Sequence, residues 1–371
     1  MRRRPPLHPD HLAFALALDA GLRGGESHVW SPYSVGEALG LVAGGARGAT
    51  RAELEGLLGR DLGAHLRALE EAVAPDGAGG PELETATSLW AREDLRVDPG
   101  FERAVAARRS ASVRTADFAG DPEGVRKAAN AEVAEATHGL ITDLLRSGDI
   151  TTATQALLLN ALWVRLLWTD PFDPAQTAPH PFRSPGGPVE AAMMHRQGRM
   201  PYAEAGGWAM ATLGSEHDLA LDVLLPPEEE GGAPLPALTA DALSGLYSAR
   251  SPEEVRLSLP RFEISSRAML SGVLAATGVR TVFTSDADLS GIADRRLLVD
   301  EVVHQALLRV DERGAEGAAA TAVVMRTMSL VPPKPPRVFT ADRPFAFVLR
   351  RRSAALFLGA ITAPEDPGPA E

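Results

Sequence analysis

The 371-residue sequence predicts an α+β fold. Helix-type patterns cluster ahead of Gly139, and strand-type patterns dominate the rest of the chain. No regular βαβ alternation and no internal repeat connects the two parts. One segment, 156–164, is apolar almost throughout, as in a strand buried on both faces. Length alone allows roughly two or three domains. No linker long enough to separate them is present, so one domain over residues 1–371 is expected.

In chain order, Leu12 to Leu18 read as part of a first amphipathic helix, and His28-Val29-Trp30 as a short strand. Ser31-Pro32 supplies an N-cap followed by proline at the first helical position, which opens a helix to about Ala43. Thr50-Arg51-Ala52-Glu53 fits a capping box and predicts the start of the next helix. A further helix is expected over 62–72, a strand over 84–91, and helices over 99–108 and 122–137, the last ended near Gly139. After the 156–164 strand comes a turn, Trp168-Thr169-Asp170-Pro171-Phe172. Strands are predicted over 189–195, 208–213, 219–225, 255–264, 297–310, 344–350 and 355–361, with helices over 235–248 and 267–276.

Composition narrows the function. A net charge of −12 and a pI near 5.3 argue against nucleic acid or an anionic membrane as partner. The basic run Arg103, Arg108, Arg109 and Arg114 reads as a solvated helix face. With no cysteine there are no disulfides, thiolate zinc sites or cysteine nucleophiles. Asp10 and Asp19 bracket the first apolar run, so a cleavable signal is not convincing, and the compartment stays open between cytoplasm and export by another route. No stretch approaches the ~20 apolar residues of a membrane span.

The usual marks of catalysis are missing: G-x-S-x-G, a phosphate loop, H-E-x-x-H and a dinucleotide fingerprint. Asp286-Ala287-Asp288-Leu289-Ser290-Gly291 imitates the start of a calcium loop, but its last ligand position falls on Leu297, so it reads as a turn. His304, among apolar neighbours, reads as a hydrogen-bonded core histidine, and Met193-Met194 as packing. An enzyme is not expected, nor is a cofactor.

The stretch Asp311 to Ser329 stands apart. It follows an apolar run and ends at Leu330-Val331 and a proline cluster, Pro332, Pro333, Pro335 and Pro336, suited to an exposed tether. Residues 315–322 carry no large apolar group to anchor them in a core, yet no proline bars them from a sheet. As a strand, Ala315, Gly317, Ala319, Thr321, Val323 and Met325 would share one uncharged face, opposite Glu316 and Arg326.

This loop and an ordered set of motifs resemble the serpin family, over roughly residues 12–364. The set comprises Ser31-Pro-Tyr-Ser34; Asn130 with Thr137-His-Gly-Leu-Ile141; Leu159-Asn160-Ala161; Trp168-Thr-Asp-Pro-Phe172; the paired methionines; Ala287-Asp-Leu-Ser-Gly-Ile292; His304; Arg343-Pro-Phe345-Ala-Phe347; and Phe357-Leu-Gly359. The resemblance is to a bacterial-type inhibitory serpin. It implies three β-sheets, including a large central one, about eight or nine helices, and an exposed reactive-centre loop over about 312–336.

The resemblance also implies a mechanism. A serine protease attacks the loop and forms an acyl-enzyme; the cut loop then enters the central sheet as an extra strand and traps the protease. Glu312, Gly314, Ala315, Glu316, Gly317, Ala318, Ala319, Ala320 and Thr321 would be the hinge. The family's fixed spacing from Glu312 puts the attacked bond at Met328–Ser329, suited to chymotrypsin-, elastase- or subtilisin-like proteases with an apolar primary pocket, while Arg326 would suit a trypsin-like one. Ser31, Ser34, Asn160 and His304 would form the polar cluster beneath the opening sheet, and Trp168 would stand where the loop first inserts. Gly317 departs from the family's commoner alanine and adds flexibility. A monomer acting on serine proteases is expected; the alternative is a non-inhibitory binding or chaperone-like member, whose loop is cut without insertion.

Overall fold

A computed structural model describes residues 6–75, 83–108, 111–164, 166–228, 234–313 and 335–369. The first half runs α1 (Pro9–Leu22), β1 (His28–Trp30), α2 (Pro32–Gly45), α3 (Gly48–Leu58), α4 (Leu62–Val73), β2 (Leu83–Arg92), α5 (Pro99–Ala106), β3 (Ala111–Ala116) and α6 (Pro122–Ala136). There follow β4 (Ala156–Val164), β5 (Ala178–Ser184), β6 (Gly187–Ala205), β7 (Trp208–Gly214), β8 (Leu219–Leu225), α7 (Ala240–Ala249), β9 (Ser251–Pro260), β10 (Phe262–Met269) and α8 (Ser271–Ala276). The chain closes with β11 (Glu301–Val310), β12 (Arg337–Thr340), β13 (Phe345–Arg351) and β14 (Ala354–Ile361). The eight α-helices among the described residues agree with the expected eight or nine.

Two hydrogen-bonded sheets organise these elements. One has five strands in the order β10-β11-β4-β2-β3. The other has nine, along β1-β14-β13-β8-β7-β6-β9-β12, with β5 on β6. Among the described residues the ladders join into these two connected sheets, the nine-stranded one the larger. The reason is β6, 19 residues long, which pairs with β5 near its start and with β7 at its end, so the ladder runs unbroken through both parts.

Helix α2 fills the space between the sheets, packing on β14 of one and on β4 and β2 of the other. It is almost wholly buried and, apart from Ser34 and Glu37, built of apolar residues and glycine, as a helix in such a layer must be. Its start follows the sequence: Pro32 is in the first turn, and the Ser31 side chain accepts from Ser34 N at 3.0 Å. Strand β4 is buried on both faces. Leu158 points into the core that holds α2, and Leu157, Leu159 and Ala161 point into the core of α6 with Val125, Ala129 and Val133. Helix α6 is capped by Asp121, which accepts from Gly124 N, and the chain turns away through Gly139 at φ 79°.

Several boundaries differ from the sequence reading. Thr50 and Glu53 do not form a capping box, because α3 already begins at Gly48. Thr50 accepts instead from Asp288 N, and Glu53 accepts from the Arg280 and Thr281 amides and the Thr281 hydroxyl. The expected single strand over 255–264 is two, broken at Arg261 and belonging to different sheets. Residues 267–269 extend β10 and are not helical. Arg114 sits on β3 and pairs with Glu132, so the basic run is not one helix face.

Glycine 359 on β14 shows how closely β1 and β13 flank it. A Cβ there would lie 2.3 Å from His28 O and 2.7 Å from Phe347 Cζ. Gly359→Ala is expected to cost roughly 1–3 kcal/mol of stability, read as a lower urea midpoint; an unchanged midpoint would contradict this packing.

Candidate functional site

The centre of the five-stranded sheet is a parallel seam. Strand β11 pairs with β4 from Glu301↔Leu157 to Ala306↔Leu162. Beyond Ala306 the strand continues as far as Val310 with β10 as its ladder partner. On the other side, Trp163 and Val164 pair with β2. The seam is therefore open at the end from which the chain leaves β11 toward residue 314. Its neighbouring ladders, β10–β11 and β2–β4, are antiparallel. Parallel pairing is slightly the weaker kind per residue.

A buried polar row ties the seam from the α2 side. Asn160 stands opposite both His304 and Thr87 in the ladders. His304 Nδ1 is 2.9 Å from Asn160 Oδ1, and Ser31 N donates to His304 Nε2 at 3.0 Å. Asn160 Nδ2 donates to Ser34 O at 3.0 Å and to Thr87 Oγ1 at 2.8 Å. Since Ser31 fills Nε2, the ring proton is on Nδ1 and the imidazole is neutral. Burial pushes its pKa down to about 4. Ser31, Ser34, Asn160 and His304 are all fully buried, so the structure brings the four predicted residues together.

At the open end Trp168 and Glu312 meet. Trp168 Nε1 donates to Asp311 O at 2.9 Å, Trp168 N to Arg313 O at 3.2 Å, and Phe172 N to Glu312 O at 2.8 Å. The buried Glu312 carboxylate accepts from Thr177 Oγ1 at 2.7 Å and from Arg261 Nη1 at 3.0 Å. The same guanidinium grips Asp366 through Nε at 2.5 Å and Nη2 at 2.9 Å. That bond holds the Asp366 carboxyl below its usual range. One arginine thus links the strand break at Pro260–Phe262, the start of the loop and the C-terminal segment.

Gly314, Ala315, Glu316, Gly317, Ala318, Ala319, Ala320 and Thr321, the bond Met328–Ser329, and Arg326 lie outside the described residues. Sequence reading missed Thr87, Thr177, Arg261 and Asp366. Of these only Arg261, a lone charge between two apolar strand runs, carried a local signal. Among the described residues no group of three or more His, Asp or Glu is arranged to hold a metal. No described helix is long and apolar enough to cross a membrane.

The two connected sheets around one buried helix, with a parallel seam open at the Asp311 end, are those of the serpin fold. Uncleaved ovalbumin superposes with a TM-score of 0.80, covering 97% of this chain and 100% of its own at 22% identity. The chain belongs to the serpin family, whose model, described as serpin (serine protease inhibitor), matches residues 10–364. Serpin-Z2A of Oryza sativa subsp. japonica is 33% identical, covering 95% of this chain and 96% of its own. Leukocyte elastase inhibitor of Bos taurus is 32% identical, covering 90% and 92%. These relatives are from plants and mammals, and another is from a tick, so the expected bacterial type finds no support among them.

Two predictions follow from the geometry. The pKa of His304 is about 4 folded against about 6.5 unfolded, so the unfolded chain binds the proton more tightly. The stabilisation is complete above about pH 6.5 and is lost as pH falls toward 4, on the order of 3 kcal/mol in all. Comparing urea midpoints at pH 7 and pH 5, His304→Gln should show a shallower pH dependence than the parent; parallel curves would refute the assignment. Arg261→Ala should destabilise by about 3 kcal/mol, because it strands the buried Glu312 charge. Hydrogen exchange at Glu312 and Arg313 should accelerate at the same time, and unchanged exchange would count against this anchor.

Proposed function

We propose that this protein is a suicide-substrate inhibitor of serine proteases. The observation that carries this reading is the seam, parallel between β4 and β11 and open toward Asp311. A chain that turns back after Val310 and enters the seam runs antiparallel to both neighbours. It exchanges one parallel ladder for two antiparallel ones. On the order of ten new backbone hydrogen bonds, each worth about 0.5–1.5 kcal/mol net, would favour that state. Strand insertion of this kind is a known switch.

The small, uncharged set Ala315, Gly317, Ala319, Thr321, Val323 and Met325 supports entry, since no charge would be buried. Met328–Ser329 is the bond we assign to attack, by chymotrypsin-, elastase- or subtilisin-like proteases. The names of relatives such as leukocyte elastase inhibitor support serine proteases as partners. Insertion moves β4 and β11 apart by one strand spacing, about 4.8 Å. The His304–Asn160 bond cannot span that gap, so Ser31, Ser34, Asn160 and His304 set the resistance to opening. Trp168 marks the point of first entry. Gly317 favours the second reading, a non-inhibitory serpin, because a flexible hinge slows insertion and lets the protease complete the cut.

Mixed with chymotrypsin-like or subtilisin-like enzymes, the protein should form a covalent complex that survives denaturing electrophoresis. Cleaved protein alone, with full protease activity left, would support the second reading instead. Ala315→Arg should keep the fold and convert inhibitor to substrate, seen as loss of the complex with cleavage retained. Undiminished complex formation by that variant would overturn the hinge assignment.

A further inference from the structure

A second buried group of histidines lies away from the seam, where α1, α4 and β14 meet. His11 and His65 are fully buried and stand in line between two backbone carbonyls. His65 Nδ1 is 2.5 Å from Leu58 O, His65 Nε2 is 3.0 Å from His11 Nδ1, and His11 Nε2 is 3.1 Å from Ala355 O. Both outer partners are carbonyls, which only accept. Each of these three contacts needs one proton, and two neutral imidazoles bring two.

The neutral pair is therefore always one hydrogen bond short. If His65 donates to Leu58 O and His11 donates to His65, then His11 Nε2 meets Ala355 O lone pair to lone pair. The reversed arrangement leaves Leu58 O unserved. If both rings donate outward, two bare nitrogens face each other at 3.0 Å. A metal between them would need about 2.0–2.1 Å to each nitrogen and hence about 4 Å overall, so the gap is too short for one. A third proton completes all three contacts at once.

We infer that His11 and His65 form a single proton-binding site, which takes up one shared proton on acidification and then clamps α1 to α4 and β14. His304 makes the contrast plain. Its partners are one donor, Ser31 N, and one acceptor, Asn160 Oδ1, which suit a neutral ring. The same residue type, equally buried, is thus fully hydrogen-bonded when neutral at His304 and one proton short when neutral at the pair.

The surroundings are consistent with one added charge and no more. Asp10 on α1 draws the His65 pKa upward, whereas the neighbouring His8 opposes a charge on either ring. His8 stacks on His65 with centroids 5.8 Å apart and an interplanar angle of 10°. Of the charged groups on the other packed elements, Asp61 caps α4 through Ala64 N; Glu37 on α2 lies 3.9 Å from Arg108, and burial raises its pKa to about 7. Arg351 and Arg352 donate to carbonyls at the C-terminal end of α4. Burial is the largest influence and lowers both rings, His11 to about 3. The pair is accordingly neutral, and one bond short, at neutral pH.

The test is a titration of the intact protein, carrying 15N-labelled histidine, downward from pH 7.5 by NMR. His11→Gln and His65→Gln each supply the assignments, so one folded variant is enough. The two rings should shift together through one inflection, gaining one proton between them. Amide exchange in α1, corrected for its intrinsic pH dependence, should slow through that inflection. Separate titration with one proton per ring would overturn the inference. So would α1 exchange that stays constant or quickens. None of these readouts requires protease inhibition.

Discussion

The five-stranded sheet depends on a seam that is paired over only part of its length. From Glu301 to Ala306 strand β11 bonds to β4; beyond that the two strands diverge around Trp168 and Asp311. The paired part is secured from below by the row Thr87, Asn160, His304 and Ser31. Each member donates or accepts in one direction, so the row closes only while Asn160 and His304 remain neighbours. Because the row is fully buried, a broken bond there leaves a polar group without water to replace its partner. The seam is thus closed by a short parallel ladder from Glu301 to Ala306 together with a few high-stakes buried contacts.

The open end is governed by charge. Glu312 is buried, and its stability there rests on Arg261 and Thr177. Arg261 is itself positioned by Asp366 from the C-terminal segment, and Glu263 N donates to Glu365 O at 2.9 Å beside it. A buried carboxylate is tolerable only while its partner stays in place. The start of the loop is therefore tied to residues at both ends of the last third of the chain.

Much of this was legible in the sequence, and what was not has physical causes. Apolar runs with clear ends, such as Ala156–Val164 and Leu219–Leu225, appear as the strands expected. Ser31-Pro32 gave the start of α2 because a cap is a local interaction. Strands β3, β5 and β12 were not anticipated. They are exposed over much of their length, so side-chain alternation carries little signal, and their pairing partners set them. Glu53 and Thr50 look like a local cap, but their partners lie 227 and 238 residues away in sequence. His304 could be read as a satisfied core histidine, yet Asn160 and Ser31 are 144 and 273 residues distant, so only the motif resemblance grouped them. Thr87 belongs to the same row and carried no sequence signal at all.

On the proposed function, the intact fold is not the most stable arrangement of this chain, because the seam would accept one more strand. Thermal melting of the intact protein beside the protein nicked within residues 314–334 tests it most directly. If the loop enters the seam, the nicked protein should stay folded at temperatures where the intact protein has fully melted. Equal midpoints, or a lower one after nicking, would mean that the seam stays closed.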